Sequence, residues 1–231
     1  MINKKFDFKK TELEEGIAEL ERDLEKSEGQ DPIKTEYIRK LLGYMKKMSP
    51  LMVPEATQEQ RAELEYLSEC SACVSREMAS VLTKIPVKEV MIKSAETMGI
   101  TVEKKNGILV VNLPMILPTK AKTKAGYLFD PIFYAMQNAS EQESFLLKEK
   151  AMMCIEFIYD RSNKNISRGD HDNKEIKQVI DAIANFVVPD DSDDYLSICQ
   201  ISTEGDYNHT KVYVMPERHF SDFFLDHNKT A

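Results

Sequence analysis

The feature that most constrains this chain is a change of hydrophobic period at Gly99. Before it, apolar residues recur at helical spacing; from Ile100 onward they fall in short runs of strand-forming residues bounded by turn signals. Neither a pure bundle nor an all-β fold accommodates both patterns. The sequence therefore predicts an α+β protein, with a helical bundle or hairpin region over residues 1–98 followed by an α+β domain over 99–231.

Within the helical part, Leu13, Ile17, Leu20 and Leu24 form one stripe, opposed by Glu14, Glu15, Glu21 and Arg22. Gly29 and Pro32 break that helix and open a second, about 32–48. A third, about 57–83, carries a heptad seam of Leu64, Leu67, Ser71, Val74, Met78 and Val81, expected to pack antiparallel against the first two. Pro86 opens a short fourth helix that reaches Met98, where Gly99 stops it.

The second part begins with a hairpin: residues 100–104, the turn pair Asn106-Gly107, and residues 108–113. A Lys-rich loop (119–124), a helix around 131–136, a buried strand over 152–159, a helix from Lys174 to Val187, and strands at 195–201 and 211–215 joined across Glu204-Gly205-Asp206 complete a mixed sheet with two helices.

Hydrophobic residues make up 42% of the 231, and charged residues 30%, enough apolar content to bury a core. The net charge of −8 excludes a coat protein that holds nucleic acid by bulk charge. No run approaches the roughly 18 apolar residues of a spanning helix, and the N-terminus lacks the apolar core of a secretion signal, so the expectation is a cytoplasmic protein without a membrane. Four cysteines, Cys70, Cys73, Cys154 and Cys199, are too few for a disulfide scaffold.

The chemistry-bearing stretch is Arg168-Gly169-Asp170-His171-Asp172-Asn173, then a helix with Lys177 and Asp181, then Pro189-Asp190-Asp191. In extended chain Asp170 and Asp172 project to one side. A strand running on from Asp190-Asp191 could bring a third carboxylate beside them. Such an all-oxygen set suits Mg²⁺ or Mn²⁺, and without a cation the carboxylates repel. Read alone, Asp172-Asn173 also suit a helix N-cap and turn.

The order Asp-x-Asp-Asn, then Lys and Asp181-Ala182-Ile183 on a helix, then Asp190-Asp191 before a strand resembles the signature of the RusA family of Holliday-junction resolvases. Leu113-Pro114-Met115-Ile116-Leu117-Pro118 is similar to that family's first strand and loop, and the similarity covers roughly residues 108–216. The resemblance implies a RusA-like mixed sheet and a homodimeric, Mg²⁺-dependent endonuclease for four-way DNA junctions. It implies metal-binding aspartates at Asp170, Asp172 and Asp191, and an active-site lysine at Lys177, which matches when the helix is aligned from its downstream end. The whole chain also resembles a group of bacterial proteins that share the Asp-His-Asp-Asn motif after a helical region.

Charge distribution bears on that expectation. Residues 107–231 are net −6, yet segments 117–125 and 161–177 hold eight bases (Lys120, Lys122, Lys124, Arg161, Lys164, Arg168, Lys174, Lys177) and three acids. Bases that flank carboxylates suit a phosphate backbone, although Lys-rich loops are common on any surface.

Cys70-Ser71-Ala72-Cys73 has metal-ligand spacing but no second pair nearby, and packed helix cysteines fit better. His209 and His219 have no Ser or Cys partner at meaningful spacing. The leading expectation is thus a metal-dependent endonuclease or structure-selective binder of branched DNA. The alternative is a catalytically silent scaffold that assembles with a protein partner through residues 1–98.

Overall fold

The computed structural model describes residues 2–118, 126–162 and 174–230, and side chains from Lys9 to Asp226 within them. Two compact units are present: Met1–Val90 with Ala121–Tyr127, and Met91–Lys120 with Leu128–Ala231. No described helix is long and apolar enough to cross a membrane.

The first unit is built on α1 (Ile2–Ser27), α2 (Pro32–Met48) and α3 (Gln58–Thr83). Helix α2 starts where Asp31 accepts the Lys34 N–H at 2.9 Å and Pro32 takes the first turn. Helix α3 starts with a reciprocal capping box between Thr57 and Gln60. Helix α2 packs against both neighbours and buries Ile38, Leu41 and Leu42. The heptad seam of α3 is only partly enclosed: Leu67 and Val74 are buried, whereas Val81 is 48% exposed. Cys70 and Cys73 lie buried on the same helix, as packed residues.

The second unit takes in the end of α4 (Val87–Met98), then β1 (Thr101–Lys105), β2 (Ile108–Leu113), α5 (Phe129–Ser140), β3 (Ala151–Asp160), α6 (Lys177–Val187), β4 (Leu196–Gly205), β5 (His209–Pro216) and α7 (Phe220–Thr230). Asn106 and Gly107, both at positive φ, turn the β1–β2 hairpin as their sequence predicts. Gly99 ends α4 at φ +79°, with the Ile100 N–H returning to the Ala95 carbonyl.

The five strands lie in the order β1-β2-β5-β3-β4, antiparallel except for β3 beside β4. The fold is therefore a mixed α+β sheet after a helical region, as expected. The last two strands are not neighbours, because β3 lies between them. Helix α6 is the crossover that parallel β3 and β4 require. Strand β3, flanked on both sides and nearly continuously apolar, is buried on both faces. Under one face, Cys154, Tyr213, Met215 and Val110 pack with Phe220 and Phe223. The opposite parity, Met153, Ile155 and Phe157, is fully buried, as are Ile132 and Met136 of α5 and Val179 and Ile183 of α6.

Two expectations change. Helix α6 begins at Lys177 rather than Lys174, because Lys174 sits in a β-bridge and the Glu175 N–H donates to the Pro118 carbonyl at 2.8 Å. Helix α7, for which no helix is expected from the sequence, packs Phe220 and Phe223 on the Cys154–Tyr213 face and makes a third helix in addition to α5 and α6.

Candidate functional site

Strand registers bring Leu113, Asp160, Gly205 and His209 to one end of the sheet. Helix α6 carries the chain back from that end to the start of β4, so its first turn stands there too. Two described stretches meet this turn: the Pro118 carbonyl accepts the Glu175 N–H at 2.8 Å, and the Leu128 and Phe129 N–H groups donate to Oε1 of Gln178 at 3.2 and 3.3 Å. Glu175 in turn accepts from the Gln178 N–H at 3.3 Å.

The outer side of α6 carries Lys177, Asp181 and Asn185 at intervals of four, a helical stripe opposite Val179, Ile183 and Val187. The segment after the helix folds back along it. Together they enclose a shallow depression of about 350 Å³ lined by Lys177, Asp181, Asn185, Pro189, Asp190 and Asp191. Lys177 Nζ lies 2.6 Å from Asp181 Oδ2. That hydrogen bond and its charge, with a smaller contribution from Asp191, hold the ammonium above its ordinary pKa. Asp190 accepts the Ser192 N–H at 2.8 Å and fixes the turn. Asp191 is exposed.

One lysine among Asp181, Asp190 and Asp191 leaves the depression negative. It attracts a cation and repels a bare phosphate. Its oxygen donors match a hard divalent ion. Among the described residues no three potential ligands gather closely enough to hold one. Asp170 and Asp172, together with Lys120, Lys122, Lys124, Lys164 and Arg168, lie outside the described residues.

The remaining expected residues divide. Lys177 and Asp191 share the depression, and Arg161 is exposed at the same end of the sheet, its backbone N–H on the Gly205 carbonyl at 3.0 Å. Lys174, expected at the start of the helix and among the backbone-binding bases, is only 8% exposed. Gln178 and Asn185 were not singled out from sequence; Asn185 could have been found from the polar stripe at four-residue spacing with Lys177 and Asp181, and Gln178 carries no such signal. Near Arg161, the exposed Tyr207 ring stacks on His209 with centroids 4.3 Å apart. Asn208 fixes this turn by accepting the Asp160 N–H at 2.8 Å.

A family model described as a family of unknown function (DUF6100) matches residues 10–231, nearly the whole chain. The chain belongs to the DUF6100 family. No curated protein matches this DUF6100 member. Its fold is also similar to the crystal structure of the periplasmic domain of Helicobacter pylori MotB, with a TM-score of 0.33 and 9% identity over 55% of this chain and 86% of that one.

Proposed function

We propose that this DUF6100 protein binds branched DNA and cuts it by metal-assisted phosphodiester hydrolysis at the outer face of α6. The observation that carries the reading is the carboxylate-lined depression that holds Lys177, Asp181, Asp190 and Asp191 on the outer side of α6. Backbone-binding cations from the Lys-rich segment, set beside this depression, would make the combination that phosphate chemistry requires.

In this reading Asp191, with Asp170 and Asp172, holds a Mg²⁺ or Mn²⁺ ion, which supplies polarisation of the phosphate and a lowered pKa for attacking water. Lys177 stays protonated through Asp181 and donates to an oxygen on which charge develops. Arg161, Lys120, Lys122, Lys124, Lys164 and Arg168 position the backbone. The exposed Tyr207 ring offers an unpaired base a stacking surface.

The test is cleavage of a labelled four-way junction beside a linear duplex of the same sequence, with Mg²⁺ and then Mn²⁺. Junction-selective nicking that Asp172→Asn abolishes supports the reading. Binding without cleavage reduces it to a structure-selective binder, and neither binding nor cleavage removes it.

A specific observation favours a second reading. Val81, Ile85 and Val87 are each more than 40% exposed around the end of α3 and the start of α4. An apolar patch of this kind suits a scaffold that docks a protein partner through its helices. Co-assembly with a partner that Val81→Lys abolishes, in a protein inert toward DNA, would decide for it.

A further inference from the structure

Cys154 and Cys199 are register partners on the parallel strands β3 and β4, so their side chains leave the same face of the sheet. Both are free thiols, and Cys199 packs against the cluster that contains Cys154. Adjacent strands lie about 4.8 Å apart, and a disulfide spans Cα separations of about 4.4 to 6.8 Å. The two sulfurs can therefore bond without moving the strands apart. Forty-four residues separate the two cysteines in sequence, and only the sheet brings them together.

We propose that Cys154 and Cys199 form a peroxide-sensitive dithiol that closes reversibly to a cross-strand disulfide. The two sulfurs have different roles. Cys199 is half-buried on β4, an edge strand, whereas Cys154 is fully buried on β3, which has a strand on each side. The neighbouring Cys154 thiol holds Cys199 below its ordinary pKa, while Cys199, burial and the nearby Glu156 carboxylate push Cys154 up. Reactivity and access coincide at Cys199.

A hydroperoxide meets Cys199 first. Its thiolate attacks the terminal oxygen, an S–O bond forms as the O–O bond breaks, and the departing alkoxide or hydroxide takes up a proton. The Cys154 sulfur then gives up its proton and attacks the sulfenyl sulfur; S–S forms, S–O breaks, and water leaves. In sum, two thiols and one hydroperoxide give one disulfide, one alcohol or water, and one further water. A bridge between register partners on neighbouring strands sits toward the short end of disulfide spans, which leaves it open to reduction by small thiols.

The experiment uses the full chain carrying Cys70→Ala and Cys73→Ala, so that one pair of thiols remains, treated with hydrogen peroxide. The expected result is an intact mass lower by two hydrogens, a peptide map that joins the Cys154 and Cys199 peptides, and full reversal by dithiothreitol. In the same background, Cys154→Ser should stop at a Cys199 sulfenic acid trapped by dimedone, and Cys199→Ser should leave Cys154 unmodified. Oxygen addition at Cys199 without a cross-link, bridges only between chains, or two unchanged thiols where a free cysteine peptide is oxidised would each overturn the proposal. Matching melting curves for the reduced variants show that the outcome reports chemistry rather than folding.

Discussion

The side-chain oxygen of Gln178 accepts the backbone N–H of Leu128 at 3.2 Å, which ties the start of α5 to the first turn of α6. Gln178→Ala leaves the Leu128 and Phe129 N–H groups without this acceptor, and an unsatisfied pair of this kind costs about 1 to 3 kcal/mol. Thermal or urea unfolding should register that loss, and junction affinity should fall with it. Gln178→Glu keeps an acceptor oxygen and should recover most of the stability.

Lys177 and Asp181 form an exposed pair, so its removal should hardly move the melting temperature. Activity should respond differently. Lys177→Ala is expected to lower junction cleavage about 10²-fold, the scale for loss of one donor to developing charge. Asp181→Asn frees the ammonium and lowers its pKa toward the ordinary value, so the alkaline limb of the pH–rate profile should move to lower pH. An unchanged profile in Asp181→Asn would remove Asp181 from the site.

Inside the sheet, Glu156 accepts hydrogen bonds from Tyr213 at 3.0 Å and Thr203 at 2.7 Å. Burial first, then the Glu156 charge, push the Tyr213 phenol well above its ordinary pKa. In the unfolded chain Tyr213 ionises near pH 10, before it does so in the folded state. Its stabilising contribution is therefore complete below about pH 10 and lost as pH rises further. Tyr213→Phe should flatten the alkaline loss of stability, measured as the melting temperature between pH 8 and pH 12. An unchanged slope would exclude Tyr213 as its source.

Gly205 allows β4 to approach β3 closely: a Cβ there would stand 2.6 Å from Cγ2 of Ile158. Gly205→Ala should destabilise the protein by about 1 to 3 kcal/mol through overpacking. Ile158→Ala removes the opposing atom, so the double variant should be more stable than the sum of the single effects predicts. Denaturant titration of all four proteins checks the coupling.

Much of the local structure was legible in residue order. Gly29 and Pro32 mark the break between the first two helices, Asn106-Gly107 marks its hairpin, and the apolar run of β3 marks a buried strand. These signals act over a few residues, through side chain to backbone bonds and hydrophobic period. Helix α7 was missed because Phe220 and Phe223 make a short apolar face that packs on the cluster around Tyr213, a contact that exists only once the sheet has formed.

The amino-acid order by itself determined the division into a helical and a sheet-bearing part and the hairpin. Only tertiary structure decided that β3 would separate β4 from β5, that Glu175 would meet Pro118 and Gln178 would meet Leu128, and that Cys154 would pair in register with Cys199. The physical reason is range. Capping, turn geometry and amphipathic period involve neighbours within a few residues, whereas strand order and side-chain encounters depend on which surfaces bury one another, a choice made by the whole chain at once.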